Sequence, residues 1–473
     1  MSNPLFAKLG MIALITFILI LAIFTVSGTV SDRKQYKNQA KETVARSWTG
    51  GQEVFGPVLV VPYVLEWTVE EWDQRRNNKI LRQEKLQAEK YLIAESLTHI
   101  VSLTTDIRHK GIFQIPVYAS TIQMQGLFTF NSESVDIDTS QIEGKNIKIE
   151  FGTPHLGIGL SDPRGISENS HLLWGTTAVP FKAGSGIGYL TKGLHAPINM
   201  DLTTGTVEQI PFEITLGLRG LDQITFHPVA QNYQLNMQSP WPHPSFIGNF
   251  LPTQREIDDT GFTATWAVTE FASNIRALLE TCSGAQCALH PEQGIGVSLI
   301  QPVDIYLKTE RSLKYALLFI TLVFVAFFIF EVLRLLPIHP IQYGLVGAAI
   351  STFYLLLISL SEHIEFFTSY VIAAGACVLL ISFYLVYVLK SVSTAAIFGC
   401  LLSIIYAMLY VIVSAEDYAL LMGTFVVFSV IAIIMIATRN INWYQIEWQN
   451  VEINNPLDHS QANSKERTPD KES

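Results

Sequence analysis

Apolar positions crowd into the last third of the chain. Five runs stand out, Leu313–Leu336, Ile341–Leu360, Phe366–Leu389, Thr394–Val413 and Tyr418–Ala437, each closed by charge or proline. Each is close to the roughly 20 residues a helix needs to cross the hydrocarbon of a bilayer. In lipid such a segment must satisfy its own backbone groups, which makes it a helix. A sixth run, Leu9–Val26, follows Lys8 and precedes Ser27-Gly28. Small residues there resemble a cleavage site, but the apolar run exceeds the usual signal core, so the residues favour a retained anchor.

Between these regions the pattern changes. Ser31–Trp48 is polar at helical spacing, with Ser31 as the expected N-cap. After Gly50-Gly51 the period becomes two. Val58–Val61 reads as a short strand between Pro57 and Pro62, and Glu66–Lys90 as an exposed hairpin around Asn77-Asn78. Further strands are expected at 100–103, 113–118, 121–130, 146–151, 212–218, 224–226, 233–238, 263–268 and 297–300. Ile115-Pro116-Val117 before 122–126 and His227-Pro228-Val229 before 233–239 form a faint echo.

The expected fold is therefore an α+β membrane protein. It combines an all-β, sandwich-like domain, single or tandem, with six transmembrane helices, one N-terminal and five C-terminal. The expected boundaries are 1–30 for the anchor, 31–310 for the β-rich domain, 311–440 for the helix bundle and 441–473 for a polar tail. Roughly 280 residues of β-rich domain suffice to bury a core unaided.

Charge then orients the chain. Arg334, Lys390 and Arg439 follow alternate spans, whereas Glu362, Glu365, Glu416 and Asp417 lie at the opposite ends. Basic short loops stay inside, which puts both termini inside and the β-rich domain outside. Arg33, Lys34, Lys37 and Lys41 point the other way but precede a long domain, where the rule is weak. The formal net charge is −10 with no dense basic block, which argues against a nucleic-acid partner. Cys282 and Cys287 flank four residues of the outside domain. They are candidates for a small disulfide loop contributing about 2 kcal/mol.

Catalytic signatures do not assemble. The chain has no GxxxxGK[ST], HExxH or GxSxG. Gly184–Gly188 reads as a flexible turn and Ser161–Gly165 as a turn with a capping Asp. No catalytic, metal or cofactor residue is assigned, and no cofactor is expected. Ser239–Pro252 (SPWPHPSFIGNFLP) is rigid and aromatic. Trp241, His243, Phe246 and Phe250 form either a lid on the sheet or a recognition surface. In the spans, Glu331 and Arg334 are spaced to pair at i,i+3. Glu362, His363, Glu416 and Asp417 gather at one end of the bundle, as charged turns or as a cation or proton site.

Several stretches resemble the CreD family of inner membrane proteins. They are GPVLVVPY (Gly56–Tyr63), Val117-Tyr118 with Gly126-Leu127-Phe128, SPWPHPSFIGNFLP, IHPIQYGLVG (Ile338–Gly347) and FYLLLISLSEH (Phe353–His363). EDYALLMG (Glu416–Gly423) and TRNINWY (Thr438–Tyr444) extend the likeness almost to the end. Asn442 stands where the family pattern has Asp. The resemblance implies an N-terminal anchor, a periplasmic domain, a C-terminal bundle, a Gram-negative inner membrane and a part in envelope maintenance. It carries no catalytic residues.

The expected function is a non-enzymatic inner-membrane protein that supports envelope integrity. Its partners are the lipid bilayer and a periplasmic protein, lipid or wall component. The alternatives are a transporter or flippase, and a membrane-embedded enzyme using Glu362 and His363 as acid and base.

Overall fold

The computed structural model describes residues 4–73, 78–130, 135, 137–140, 142–167, 170–200, 207–281, 293–299, 305–334, 338–415 and 418–439. The chain divides into two units, Lys34–Asp304 and Met1–Arg33 with Ile305–Ser473.

Helix α1 runs unbroken over Pro4–Ser47. The expected cap at Ser31 is therefore a mid-helix residue. No proline interrupts the stretch, and Gly28 alone costs only about 1 kcal/mol relative to Ala.

The β-rich unit contains 17 strands among the described residues. In chain order they are β1 (Gln52–Asp73), β2 (Asn78–Leu92), β3 (Ala94–Lys110), β4 (Phe113–Phe130), β5 (Lys145–Phe151), β6 (His155–Leu160), β7 (His171–Trp174) and β8 (Thr177–Val179). There follow β9 (Lys182–Ala183), β10 (Gly193–Pro197), β11 (Glu208–Leu221), β12 (Gln223–Phe226), β13 (Ala230–Ser239), β14 (Pro244–Gly248), β15 (Gln254–Asp258), β16 (Gly261–Thr269) and β17 (Ile295–Leu299). Two short helices, α2 (Glu270–Ser273) and α3 (Ile275–Thr281), follow β16.

One sheet orders its strands β14-β17-β12-β1-β6-β10-β9, with β2 and β5 also on β1; the other runs β15-β16-β13-β3-β4-β11-β7-β8. Both feed one core. Val54, Leu59 and Leu156 of the first sheet join Leu97, Met124, Leu216, Leu235 and Trp266 of the second. Alternate burial along β13 and β16 is the period-two pattern of sheets with one buried face. The two halves of the echo differ in structure. Residues 115–126 lie within β4, whereas 227–229 link β12 to β13. Duplication does not organise the unit.

Pro57 and Pro62 do not bound a short strand, because β1 passes through both. Pro57 falls where the β6 pairing shifts register between Phe55 and Val58. Pro62 falls between the end of the β6 ladder at Val60 and the start of the β5 ladder at Tyr63. Neither position owes those ladders a backbone N–H.

The other unit holds the N-terminal part of α1 with α4 (Ile305–Lys314), α5 (Ala316–Arg334), α6 (Pro340–Ser361), α7 (Phe366–Leu389), α8 (Val392–Ser414) and α9 (Ala419–Thr438). Four described helices, α1, α6, α7 and α8, are long and apolar enough to cross a membrane. The count rises to five if α4 and α5, which meet at 47°, form one span; α9 adds a shorter apolar stretch, Leu421–Ile436. The run expected at Leu313–Leu336 is carried by α5 from Ala316, and the bend falls at its start, near Tyr315, with neither proline nor glycine at the break. Three helices approach closely at Gly347. A Cβ there would meet Leu19 Cδ1 at 2.2 Å and Phe324 Cζ at 2.9 Å. A small residue lets the three helices converge.

Candidate functional site

Polar groups inside the membrane unit cluster at both ends of α6. Its start is set by a capping box. His339 Nδ1 accepts from Ile341 N at 3.3 Å, and Gln342 Oε1 accepts from His339 N at 3.1 Å. That cap puts Tyr343 one turn inside the helix, where its hydroxyl donates to Glu331 Oε2 at 2.8 Å. Ile338 N donates to Glu331 Oε1 at 3.2 Å, and Lys8 of α1 forms an ion pair with the same oxygen. Lys8 Nζ also donates to Ile338 O at 2.8 Å. Glu331 is wholly buried. A carboxylate in that position persists only when paired and fully bonded, and this one is. The expected i,i+3 partner, Arg334, closes α5, and its side chain lies outside the described residues.

About 28 Å away along the α6 axis, Glu362 caps the other end of the helix. Its carboxylate lies 3.4 Å from Arg33 Nε and accepts from the Tyr306 hydroxyl at 3.2 Å. His363 follows it and is exposed. Glu416 and Asp417 lie outside the described residues, as do Cys282 and Cys287. Lys8, Arg33 and Tyr306 are residues that local sequence patterns do not single out.

Hydroxyls punctuate the largely apolar interior between these ends. Tyr306, Thr309 and Ser312 are buried with Leu313 on α4, and Ser369 and Tyr370 lie buried on α7. Tyr370 donates to Tyr406 O at 2.7 Å; the Tyr406 hydroxyl contacts Cys377 Sγ at 3.0 Å. Phe353 packs against Tyr354, Tyr370 and Tyr406, with ring centroids 4.8–5.4 Å apart.

In the β-rich unit, the aromatic residues of Ser239–Pro252 pack on the core. Phe246 meets Phe262 and Trp266 edge-on, at 5.9 and 5.6 Å. Trp266 Nε1 donates to Phe250 O at 3.1 Å. Trp241 and Phe250 also pack against the core, while His243 is exposed. Beside Ser239 and Pro240 lies a groove of about 420 Å³, walled also by Thr104, Glu256, Asp258 and Thr260. Asp258 closes the β15–β16 turn by accepting from the N–H of Thr260 and Gly261. The Thr260 hydroxyl first, and then these backbone bonds, hold its carboxyl below the usual range.

Two histidines sit inside this unit. His99 Nδ1 is 2.8 Å from the Tyr233 hydroxyl, and burial lowers its pKa to about 3. Burial lowers that of His227 to about 4. His155 and His195 instead bond the carbonyls of Gly186 and Gly184, each at 2.7 Å. The glycine-rich loop is thus held by two rings, with positive φ at both glycines. Asp162 caps its own turn as expected, and Arg164 pairs with it while donating to the carbonyls of Ala45 and Arg46. The arginine therefore caps the C-terminal end of α1.

Comparison with known proteins gives a consistent result. The family described as inner membrane protein CreD matches residues 4–444. Inner membrane protein CreD of Escherichia coli (strain K12) is 30% identical over 447 residues, covering 94% of this chain and 95% of that protein. A solved structure of a candidate nutrient-binding protein from Legionella pneumophila aligns over 49% of this chain and 77% of its own. Its identity is 7% and its TM-score 0.24, too low to carry an argument.

Proposed function

This chain belongs to the CreD family of inner membrane proteins, and from that membership we propose that it supports cell-envelope integrity as a membrane-held binding scaffold. In this reading the β-rich unit is periplasmic and both termini are cytoplasmic. The alternation of Arg334, Lys390 and Arg439 with the acidic ends supports that orientation. The scaffold engages a periplasmic protein, lipid or wall component, and no enzymatic step is assigned.

The observation that carries this reading is α1. Its apolar stretch is of membrane length, and its final turns belong to the β-rich unit. There Ala40, Val44, Ala45 and Trp48 pack on Phe113, Ile115, Val117 and Leu221. The helix is continuous, so a membrane anchor and a core element of the β-rich unit are one piece of secondary structure. The edge strand β15, exposed at every position, and the groove beside it offer a largely polar contact surface.

Complementation of a deletion strain tests this. Sensitivity to detergent and to large antibiotics is the readout. The full chain restores resistance, whereas Arg255→Glu with Glu256→Lys on β15 fails while still reaching the membrane. Full rescue by that variant, or no sensitivity in the deletion strain, overturns the reading. A second reading, transport of a lipid, ion or envelope precursor, draws on the bent α4–α5 pair and the buried charges of the membrane unit.

A further inference from the structure

Three features meet at the Glu362 end of the membrane unit. The first is the 47° bend between α4 and α5. The break falls at Tyr315, whose N–H donates to Arg311 O at 3.4 Å, and broken helices accompany ion sites in membrane proteins.

The second is the chemistry of the buried face of α4. A helix beside lipid ordinarily buries apolar side chains against its neighbours. Here Tyr306, Thr309 and Ser312, one turn apart, are buried together beside the single buried aliphatic Leu313, while Lys314 faces outward. Thr309 Oγ1 donates to Ile305 O at 2.7 Å, which leaves its lone pairs open to a ligand.

The third is a pair of hydroxyls with no protein partner. Ser312 Oγ and the Tyr354 hydroxyl are fully buried and have no hydrogen-bond partner among the described residues. Their depths are comparable. The Tyr306–Glu362 bond ties the start of α4 to the end of α6, and the two helices pack together. From that bond Ser312 lies about 9 Å along α4 and Tyr354 about 12 Å along α6. A buried hydroxyl left unbonded carries a desolvation cost that a bound group removes.

The donor set selects the ligand class. It consists of neutral hydroxyl oxygens near a helix break, with Glu362, itself paired with Arg33, at the mouth. Oxygen donors favour hard cations, and so few carboxylates suit a single charge better than a double one. We propose that Ser312, Tyr354 and Thr309 form a binding site for a hard monovalent cation, Na+ or K+, with Glu362 at its mouth. The site is independent of the scaffold role.

The full-length chain in nanodiscs provides the test. Its thermal unfolding midpoint is measured as NaCl or KCl replaces choline chloride at constant ionic strength. A ligand that binds only the folded state raises the midpoint saturably. The expected result is such a rise in Na+ or K+ over choline, lost in Ser312→Ala and in Tyr354→Phe. Ser403→Ala, whose hydroxyl donates to Gly399 O on α8, keeps the rise. Tyr354→Phe deletes only a hydroxyl, so it preserves packing. Identical midpoints in all three salts indicate a site holding water alone and overturn the proposal. A cation-dependent rise that survives in Ser312→Ala combined with Tyr354→Phe overturns it as well.

Discussion

Lys8 and Glu331, separated by 323 positions in the chain, form one ion pair inside the membrane unit. It fastens the first helix to the end of α5 and, through Tyr343 and Ile338, to the start of α6. Removing one partner strands the other. Lys8→Met is expected to cost about 3–5 kcal/mol, because Glu331 stays buried without its cation. The double variant Lys8→Met/Glu331→Gln recovers most of that loss. Unfolding of the four combinations in nanodiscs gives the coupling, and additive losses would refute the pairing.

Acid weakens the β-rich unit through its buried histidines. The folded pKa values of His99 and His227, about 3 and about 4, lie below the unfolded value. The unfolded chain therefore takes up protons first. Stability is complete above pH ~6.5 and falls by about 1.4 kcal/mol per pH unit for each group below it, down to its folded pKa. Unfolding measured from pH 7 to pH 4 should show this slope, and His99→Gln with His227→Gln should flatten it. An unchanged slope in the double variant would exclude these groups as its cause.

Trp48 lies between two guanidinium groups, 5.0 Å from Arg108 and 5.2 Å from Arg219. It also packs with the last turns of α1 on Phe113 and Leu221. Trp48→Ala is expected to cost about 1–3 kcal/mol through lost packing and cation–π contact. Arg219→Lys should recover little of the stacking, since the planar guanidinium makes it. Chemical denaturation of the two variants checks the ranking.

Gly220 protects a buried hydrogen bond. A Cβ there would sit 2.1 Å from the Tyr118 hydroxyl, which donates to Gln223 O at 2.8 Å. Gly220→Ala should cost about 1–3 kcal/mol by overpacking. Adding Tyr118→Ala removes the colliding hydroxyl together with Cζ, which the same Cβ would meet at 2.3 Å, so the double variant is less destabilised than the two separate losses predict. Strict additivity would place the clash elsewhere.

How far the architecture could be read beforehand differs by element. The run at Phe366–Leu389 coincides with α7, and Glu66–Lys90 forms the β1–β2 hairpin with Asp73 opposite Asn78. Both depend on neighbouring residues alone. The prolines of β1 misled because their tolerance rests on where β5 and β6 stop pairing. The aromatic segment 239–252 showed its composition but not its use. Phe246 and Phe250 meet Trp266 only after β14 and β16 have taken their places. The i,i+3 spacing of Glu331 and Arg334 is visible along a helix, whereas the approach of Lys8 to Glu331 is not.

Hydropathy and period are local quantities, so the amino-acid order by itself determined the membrane helices, the β-rich interval and the absence of familiar catalytic signatures. Which charges meet, which hydroxyls stay unbonded and where α4 bends depend on contacts between distant segments. Their energies arise only when folding removes those groups from water, and that the tertiary structure alone decided.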